Sequence, residues 1–568
     1  MQDQTGQHNE YDLSSVSVPY MAGLPLRLMA ALLESPLCRL LAPILLDNMG
    51  VTWFRAQQFE ESPTFYPVTA KSTPGSDTER VPPEEWPALP VESGPGFRFA
   101  TVLDYAEAYR KGVTTPEGVA HKVLEAILAS ETATPPLRAF IWLDREDVLQ
   151  QARAATKRYQ DGQPLSVFDG VPVAVKDEVD MTPFPTTAGT AFLGHTPARQ
   201  DATIVARMRA AGAMLIGKTN MHEIGIGVTG HNPHHGTPRN PYNPAHYTGG
   251  SSSGSGAAVA AGFCPVAIGA DGGGSIRIPS SFCGIVGLKP TFGRLSTFGG
   301  APLTWSLDHY GPLAATATDA ALAYAVMAGP DPQDWTSCYQ PSPTLKGWQE
   351  TNLDDLTLGV YWPWFRHATA EVVAACEAML QSFEGMGASL REVTIPDLEA
   401  ARIAHTIIIV SEMAQTLDHV YARHHREHSL EVRIDLAAAR VLTSRDYIKA
   451  QRVRTRTIAH FARALERVDA IVAPSAALVA PAIPPTALPH GDSDISTLVE
   501  IMRFATPANL TGLPAISFPA GYGEGGLPIG FQAMGRAWQE PTLLRLALAA
   551  EQVVERRKPQ VHFEILPG

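Results

Sequence analysis

Apolar and polar residues fall into short blocks along the first half of this chain. Residues 139–143, 171–175, 213–216 and 266–270 are apolar runs rich in Val, Ile, Leu and Ala, too short for ordinary helices, and they predict buried strands. Longer stretches with helix punctuation lie between them. Thr101 is a candidate N-cap for a helix that Gly112 would stop, Thr115-Pro116 opens another, and residues 203–211 form one ahead of the strand at 213–216. Strands alternating with helices in this way predict an α/β layered domain built on a mixed central β-sheet.

The flanking regions read differently. Residues 24–50, LPLRLMAALLESPLCRLLAPILLDNMG, predict two short helices, with Pro25 near the start of the first and Ser35-Pro36 opening the second. Each apolar run is about ten residues long and is broken by Arg27, Glu34, Arg39 or a proline, which is too short to span a bilayer. Such a hairpin either covers a site entrance or rests on a membrane surface, or it packs on the main domain as ordinary core; exposure separates these uses. Residues 62–96, rich in Pro, Ser and Glu, predict an extended connector. The chain therefore divides into an N-terminal helical extension (1–60), a connector (61–96) and a main domain (97–568). Within the main domain, residues 334–396 carry little signal, and RVRTR at 452–456 predicts a solvated helix face.

One stretch departs from the alternation. From 249 to 277, GGSSSGSGAAVAAGFCPVAIGADGGGSIR sets two Gly/Ser clusters, 249–254 and 271–275, on either side of a small-residue helix (255–262) and the strand at 266–270. Glycine at this density marks backbone that must reach positive φ or approach a ligand closely. A flexible linker does not carry AAVAAGFCPVAIGA between its polar halves, and neither of the common phosphate-loop patterns is present. Upstream, Lys176 closes the strand run 171–175, where a lysine is costly unless paired or neutral. A salt bridge to Asp177 or Asp180 is the plain alternative to a chemical role.

Composition narrows the field. A hydrophobic content of 45% across 568 residues supports one large core, and a net charge of −13 argues against nucleic acid as a partner. Five scattered cysteines predict a reducing compartment with no disulfide framework, and the polar start MQDQTGQHNEYD lacks the basic-then-apolar pattern of a secretory leader, so a cytoplasmic location is expected. His231, His234 and His235 lie in a Pro/Asn/Gly-rich segment with no helix to align them and no nearby Cys or carboxylate, so no metal is expected there. A GxSxG elbow for a Ser-His-Asp triad is also missing.

Lys176, Ser251 and Ser275 are separated by 75 and 24 positions. That spacing, with the blocks GVPVAVKD (170–177), GGSSSGSG (249–256), DGGGSIRIPSSFCGIVGLKPT (271–291) and SLDHYGP (306–312), resembles the amidase signature family. The triple serine, the DGGGS variant, AYRKGVTTP (108–116), APAIPPTAL (480–488) and the Leu-rich extension are similar to its plant-type fatty acid amide hydrolases. The resemblance implies a mixed central β-sheet covered by helices on both faces, an N-terminal helical extension, and amide hydrolysis without cofactor or metal. It assigns Ser275 as nucleophile, Ser251 as a proton relay joined to Gly250 by a cis peptide bond, and Lys176 as general base. For that role the lysine must be neutral, so desolvation has to outweigh any nearby carboxylate. Candidate oxyanion donors are the backbone N–H groups of Gly272, Gly273, Gly274 and Ser275; Asp271, Arg277, Gly250 and Ser252 are expected to support the site. A helix around 403–417 is expected near the acyl channel, with Trp305, Met413 and Phe504 as candidate pocket residues.

The expected partner is a small amide, lipid-like by the resemblance, with peripheral membrane contact through residues 24–50 and a homodimeric assembly. Two alternatives keep the chemistry: a broad amidase for short aliphatic or aryl amides, and the glutaminase subunit of a tRNA-dependent amidotransferase. A non-catalytic relative is disfavoured because all three catalytic positions are intact.

Overall fold

Eleven strands, among the described residues of the computed structural model (11–68, 94–488 and 490–566), form one mixed sheet. Most of the expected connector lies outside those residues. The four strands expected from the sequence occur as Phe140–Trp142, Pro172–Lys176, Met214–Thr219 and Val266–Asp271 and lie side by side at one end of the sheet. Pro172–Lys176 is parallel to both Met214–Thr219 and Val266–Asp271, with Val173 opposite Val266 and Val175 opposite Ile268. Every residue of Pro172–Lys176 and of Val266–Asp271 is buried, so side chains on both faces of the sheet are covered, as a continuous apolar run requires. Helices supply that cover. Thr101 caps Val102–Arg110 through a reciprocal capping box with Asp104, and Thr115 caps Pro116–Thr132.

Beyond Val266–Asp271 the strands turn antiparallel: His309–Ala314, Val286–Lys289, Ala515–Tyr522, Pro528–Gly535 and Ala470–Pro474 follow in spatial order. The far edge, Thr357–Val360 and Ser389–Glu392, is parallel again. Those two strands fall in 334–396, where four-residue strands leave too little pattern to read.

Among its described residues the N-terminal extension holds three helices, Gly23–Leu33, Cys38–Asn48 and Val51–Ala56, and the last was not foreseen. Its inner surface is docked on the body. Leu26 and Ala30 pack against Leu430, and Val51 and Phe54 enter a cluster with Ile403 and Ile407. Full burial of such side chains contributes about 1.5–3 kcal/mol each, enough to hold these helices in place. The outer surface of the first helix is apolar and open: Leu24, Leu28 and Leu32, one turn apart, are 67%, 56% and 41% exposed. The inner face thus packs on the main domain as core, and the outer face is open. Among the described residues no helix is long and apolar enough to cross a membrane.

The expectation for 452–456 needs correction. This run lies inside Ser444–Leu465, and Arg454 is 0% exposed, donating to Ser306 Oγ at 3.0 Å and to the Phe65 carbonyl at 2.6 Å. Charge in the sequence says nothing about partners, and this arginine has buried ones.

Candidate active site

Parallel pairing brings the C-terminal ends of Pro172–Lys176 and Val266–Asp271 to the same edge of the sheet, the place where ligands bind in open α/β folds. Lys176 is the last residue of the first strand and is 1% exposed. Its Nζ donates to Ser251 Oγ at 2.8 Å and lies 3.1 Å from Glu178 Oε1. Neither Asp177 nor Asp180, the expected salt-bridge partners, takes that place. The strand ends at Lys176, and the turn after it, closed by Val179 N donating to the Lys176 carbonyl at 3.0 Å, places Glu178 beside the lysine. Asp177 instead faces Lys218 at 3.6 Å and accepts from Gly189 N and Thr187 Oγ1. Burial raises the Glu178 carboxyl above its usual range, and the charge of Lys176 opposes that rise. Asp308 completes the acidic wall, pushed up to about 8 by burial and by Glu178 beside it. Its Oδ2 accepts from the Leu303 and Thr304 amides, both at 3.1 Å.

Ser251 follows a cis peptide bond from Gly250. A side chain at Gly250 would place its Cβ 2.8 Å from Gly230 N and 3.1 Å from the Gly227 carbonyl, so only glycine lets this loop close. The next residue ties the serine loops together: Ser252 Oγ donates to the Ala270 carbonyl at 3.1 Å, and Ser252 N to the Ser275 carbonyl at 3.3 Å.

The nucleophile loop is held by a buried ion pair. Asp271 and Arg277 are both 0% exposed and meet through two hydrogen bonds of 3.0 Å. Arg277 also donates to Asn509 Oδ1, Gln532 Oε1 and the Ala505 carbonyl, so its donors are satisfied without water. Burial alone would raise the Asp271 carboxyl, but the guanidinium beside it holds it far below the usual range. Asp271 Oδ1 in turn accepts from Gly274 N at 2.7 Å, and Oδ2 from Ile276 N at 3.1 Å. This removes Gly274 from the expected oxyanion donors. The N–H groups of Gly272, Gly273 and Ser275 have no acceptor among the described residues and are the donors left. Gly274 is glycine for another reason: its φ is +121°, and a Cβ there would lie 2.5 Å from Ile278 Cδ1.

Lys176, Ser251 and Ser275 line one cavity with Glu178, Asp308, Gly272 and Gly273. Ser275 is 5% exposed, and its Oγ makes no hydrogen bond among the described residues. Apolar side chains from four separate segments close the cavity: Ile226 and Val228, Leu303, Ile409 and Met502. The remaining space is about 10 Å³, room for one water, so an acyl chain enters only when these side chains move. Met502 ends Ile495–Met502, a helix with one fully buried residue, Ile501. Trp305, Met413 and Phe504 do not line the cavity. Trp305 is on the surface, Met413 packs with Leu46 and Ile403 in a core cluster, and Phe504 packs against Trp364 with ring centres 5.5 Å apart and planes tilted by 42°. A larger cavity of about 500 Å³, lined by Phe97, Phe99, Val259 and His562, contains none of the catalytic candidates.

The histidines of 231–235 do not line this cavity. His235 Nε2 lies 3.1 Å from the Thr190 carbonyl, and His234 lies 3.1 Å from Glu223, which His428 also contacts at 2.7 Å. No group of three or more His, Cys, Asp or Glu side chains among the described residues is placed to hold a metal ion.

Comparison with known proteins places the chain in a family. A family model described as Amidase matches residues 122–544. A fatty acid amide hydrolase of Medicago truncatula is 39% identical over 98% of this chain and 96% of its own length. A glutamyl-tRNA(Gln) amidotransferase subunit of Thermosynechococcus vestitus is 35% identical but covers 75% of this chain and 93% of its own. Among solved structures, a native peptide amidase from Stenotrophomonas maltophilia superposes with a TM-score of 0.70 at 28% identity, covering 82% and 98% of the two chains.

Proposed function

Since the chain belongs to the amidase family and is an amide-hydrolysing enzyme, we propose that it cleaves fatty acid amides such as N-acylethanolamines through Ser275, Ser251 and Lys176. The observation that carries this reading is the 2.8 Å contact from Lys176 Nζ to Ser251 Oγ in the cavity that Ser275 also lines. Lys176 draws a proton through Ser251 from Ser275, whose Oγ attacks the amide carbon. The Gly272, Gly273 and Ser275 amides receive the oxyanion, and the relay returns its proton to the departing amine. Water then hydrolyses the acyl-enzyme by the same route. The Glu178 carboxyl beside Lys176 is raised by burial against the pull of that lysine. Ser251 Oγ and Ser275 Oγ are not hydrogen-bonded to each other among the described residues; a contact of this kind tightens when substrate binds.

The fatty acyl part rests on two supports. The fatty acid amide hydrolase likeness extends over nearly the whole chain, whereas the amidotransferase subunit leaves a quarter of it unmatched. The movable cavity wall of Ile226, Val228, Leu303, Ile409 and Met502 is also wholly apolar. On N-acylethanolamines of increasing length, kcat/KM is expected to rise about two- to fourfold per added methylene, as up to about 0.8 kcal/mol of burial per CH₂ allows. A flat series with retained cleavage of acetamide or anilides supports the broad amidase instead.

The exposed row Leu24, Leu28 and Leu32, with Ile44 and Trp53 beyond it, fits peripheral contact with a lipid surface. Wild-type protein is expected to sediment with phosphatidylcholine vesicles, and Leu28→Glu to stay in solution while hydrolysing short soluble amides normally. Equal sedimentation of both proteins removes this contact from the account. A homodimer in a reducing, cytoplasmic setting completes the proposal, with residues 1–60 as the extension of the catalytic domain 97–568.

A further inference from the structure

We propose that His405 is a positioning residue for the oxyanion site: its imidazole fixes the peptide between Gly272 and Gly273 so that the Gly273 N–H points into the catalytic cavity. This rests on the reading of Ser275 as nucleophile.

His405 lies on the helix Leu398–Thr416, is 1% exposed, and its Nε2 is 2.8 Å from the Gly272 carbonyl. A carbonyl only accepts, so Nε2 carries the proton and the tautomer is set. A trans peptide is planar, with its C=O and N–H on opposite sides. A donor that holds the Gly272 carbonyl therefore also sets the direction of the Gly273 N–H, and polarises it. Gly272 and Gly273 both line the cavity.

The neighbouring peptides have restraints of their own. The Asp271 carbonyl accepts from Asn509 Nδ2 at 2.7 Å, and Gly274 N donates to Asp271 Oδ1 at 2.7 Å. The Gly272–Gly273 peptide has His405 as its hydrogen-bond partner among the described residues. It is flanked by glycine on both sides, where no side chain resists a rotation of the peptide plane. Packing adds to the hold, because a Cβ on Gly273 would lie 2.9 Å from His405 Cε1 and 3.0 Å from Met502 Cε.

Burial pushes the imidazole pKa down to about 4, against the pull of the Gly272 carbonyl, so His405 is a neutral donor through the neutral and alkaline range. It positions, and does not exchange protons with substrate. Ile409, one turn along the same face of the helix, lines the cavity, so one helix carries both an acyl contact and the restraint on the oxyanion peptide.

The test compares His405→Phe, which keeps a flat ring without the donor, with His405→Gln, which restores an N–H at a similar reach, and uses Ser275→Ala as the blank. In His405→Phe, kcat on a fatty amide is expected to fall about 10- to 100-fold, less than the about 10²- to 10³-fold typical of losing an oxyanion donor outright. Affinity for an alkyl trifluoromethyl ketone, whose Ser275 adduct places an oxyanion in the site, should fall in parallel. Binding of intact amide to Ser275→Ala should change less than about twofold when His405→Phe is added, and His405→Gln should recover most of kcat with an unchanged pH profile above about pH 6. Normal kcat in His405→Phe, equal loss in His405→Gln, or a loss confined to KM overturns the proposal. Wild-type turnover by Ser275→Ala would instead overturn the assignment of the nucleophile.

Discussion

Ser275→Ala is expected to lower kcat for amide hydrolysis by about 10⁵- to 10⁶-fold, the scale on which serine hydrolases lose activity with their nucleophile. The residual rate comes from substrate positioning and the oxyanion amides, which the substitution leaves in place. Stability should hardly change. Ser275 Oγ has no hydrogen bond to lose, and the loop is held by Asp271, Arg277 and Asn509 rather than by the serine side chain. Product release and thermal unfolding measured on the same preparation separate the two effects. A folded variant that keeps more than about a tenth of wild-type kcat contradicts the assignment.

Lys176→Ala should lower kcat at pH 7 by about 10²- to 10⁴-fold, the range contributed by a positioned general base. The loss should shrink as pH rises, with log kcat climbing by about one per pH unit, because hydroxide then has to replace the internal base. Lys176→Arg decides between a base and a mere positive charge. Arginine keeps the charge but cannot give up its proton, so it should be as slow as alanine; near-normal turnover would mean that Lys176 acts by charge alone. Lys176 draws the Glu178 carboxyl down against the rise that burial causes, and the alanine variant removes that pull. Glu178→Gln provides the matching control for that carboxyl.

The strands nearest the chemistry were legible because β-branched runs such as 171–175 and 266–270 admit few other structures, and both are fully buried in the sheet. The two serine loops stood out by their glycine density, and the family blocks placed Lys176 beside them. What escaped the sequence was set by tertiary partners. Glu178 meets Lys176 through the turn that follows the strand, which no alternation of positions marks. His405 carried no local sign, being with Thr406 a polar residue inside the otherwise apolar IAHTIII. Leu303, Ile409 and Met502 reach the cavity from segments about 100 positions apart, so no sequence window contains them together. Trp305, Met413 and Phe504 have the same chemical character as those residues but point into solvent or core. Arg454 shows the converse, a charge that pattern reading assigns to water and packing buries. Gly274 illustrates a finer limit: glycine content marked the donor loop, but only the Asp271 carboxylate decides which amide is already taken.

The most direct test of the catalytic assignment is covalent trapping. Wild-type protein treated with an alkyl fluorophosphonate and digested for peptide mass mapping should carry one phosphonate per chain, on Ser275, with loss of activity in proportion to labelling. Label on Ser251 or another residue, or full activity in protein labelled at Ser275, would contradict the account.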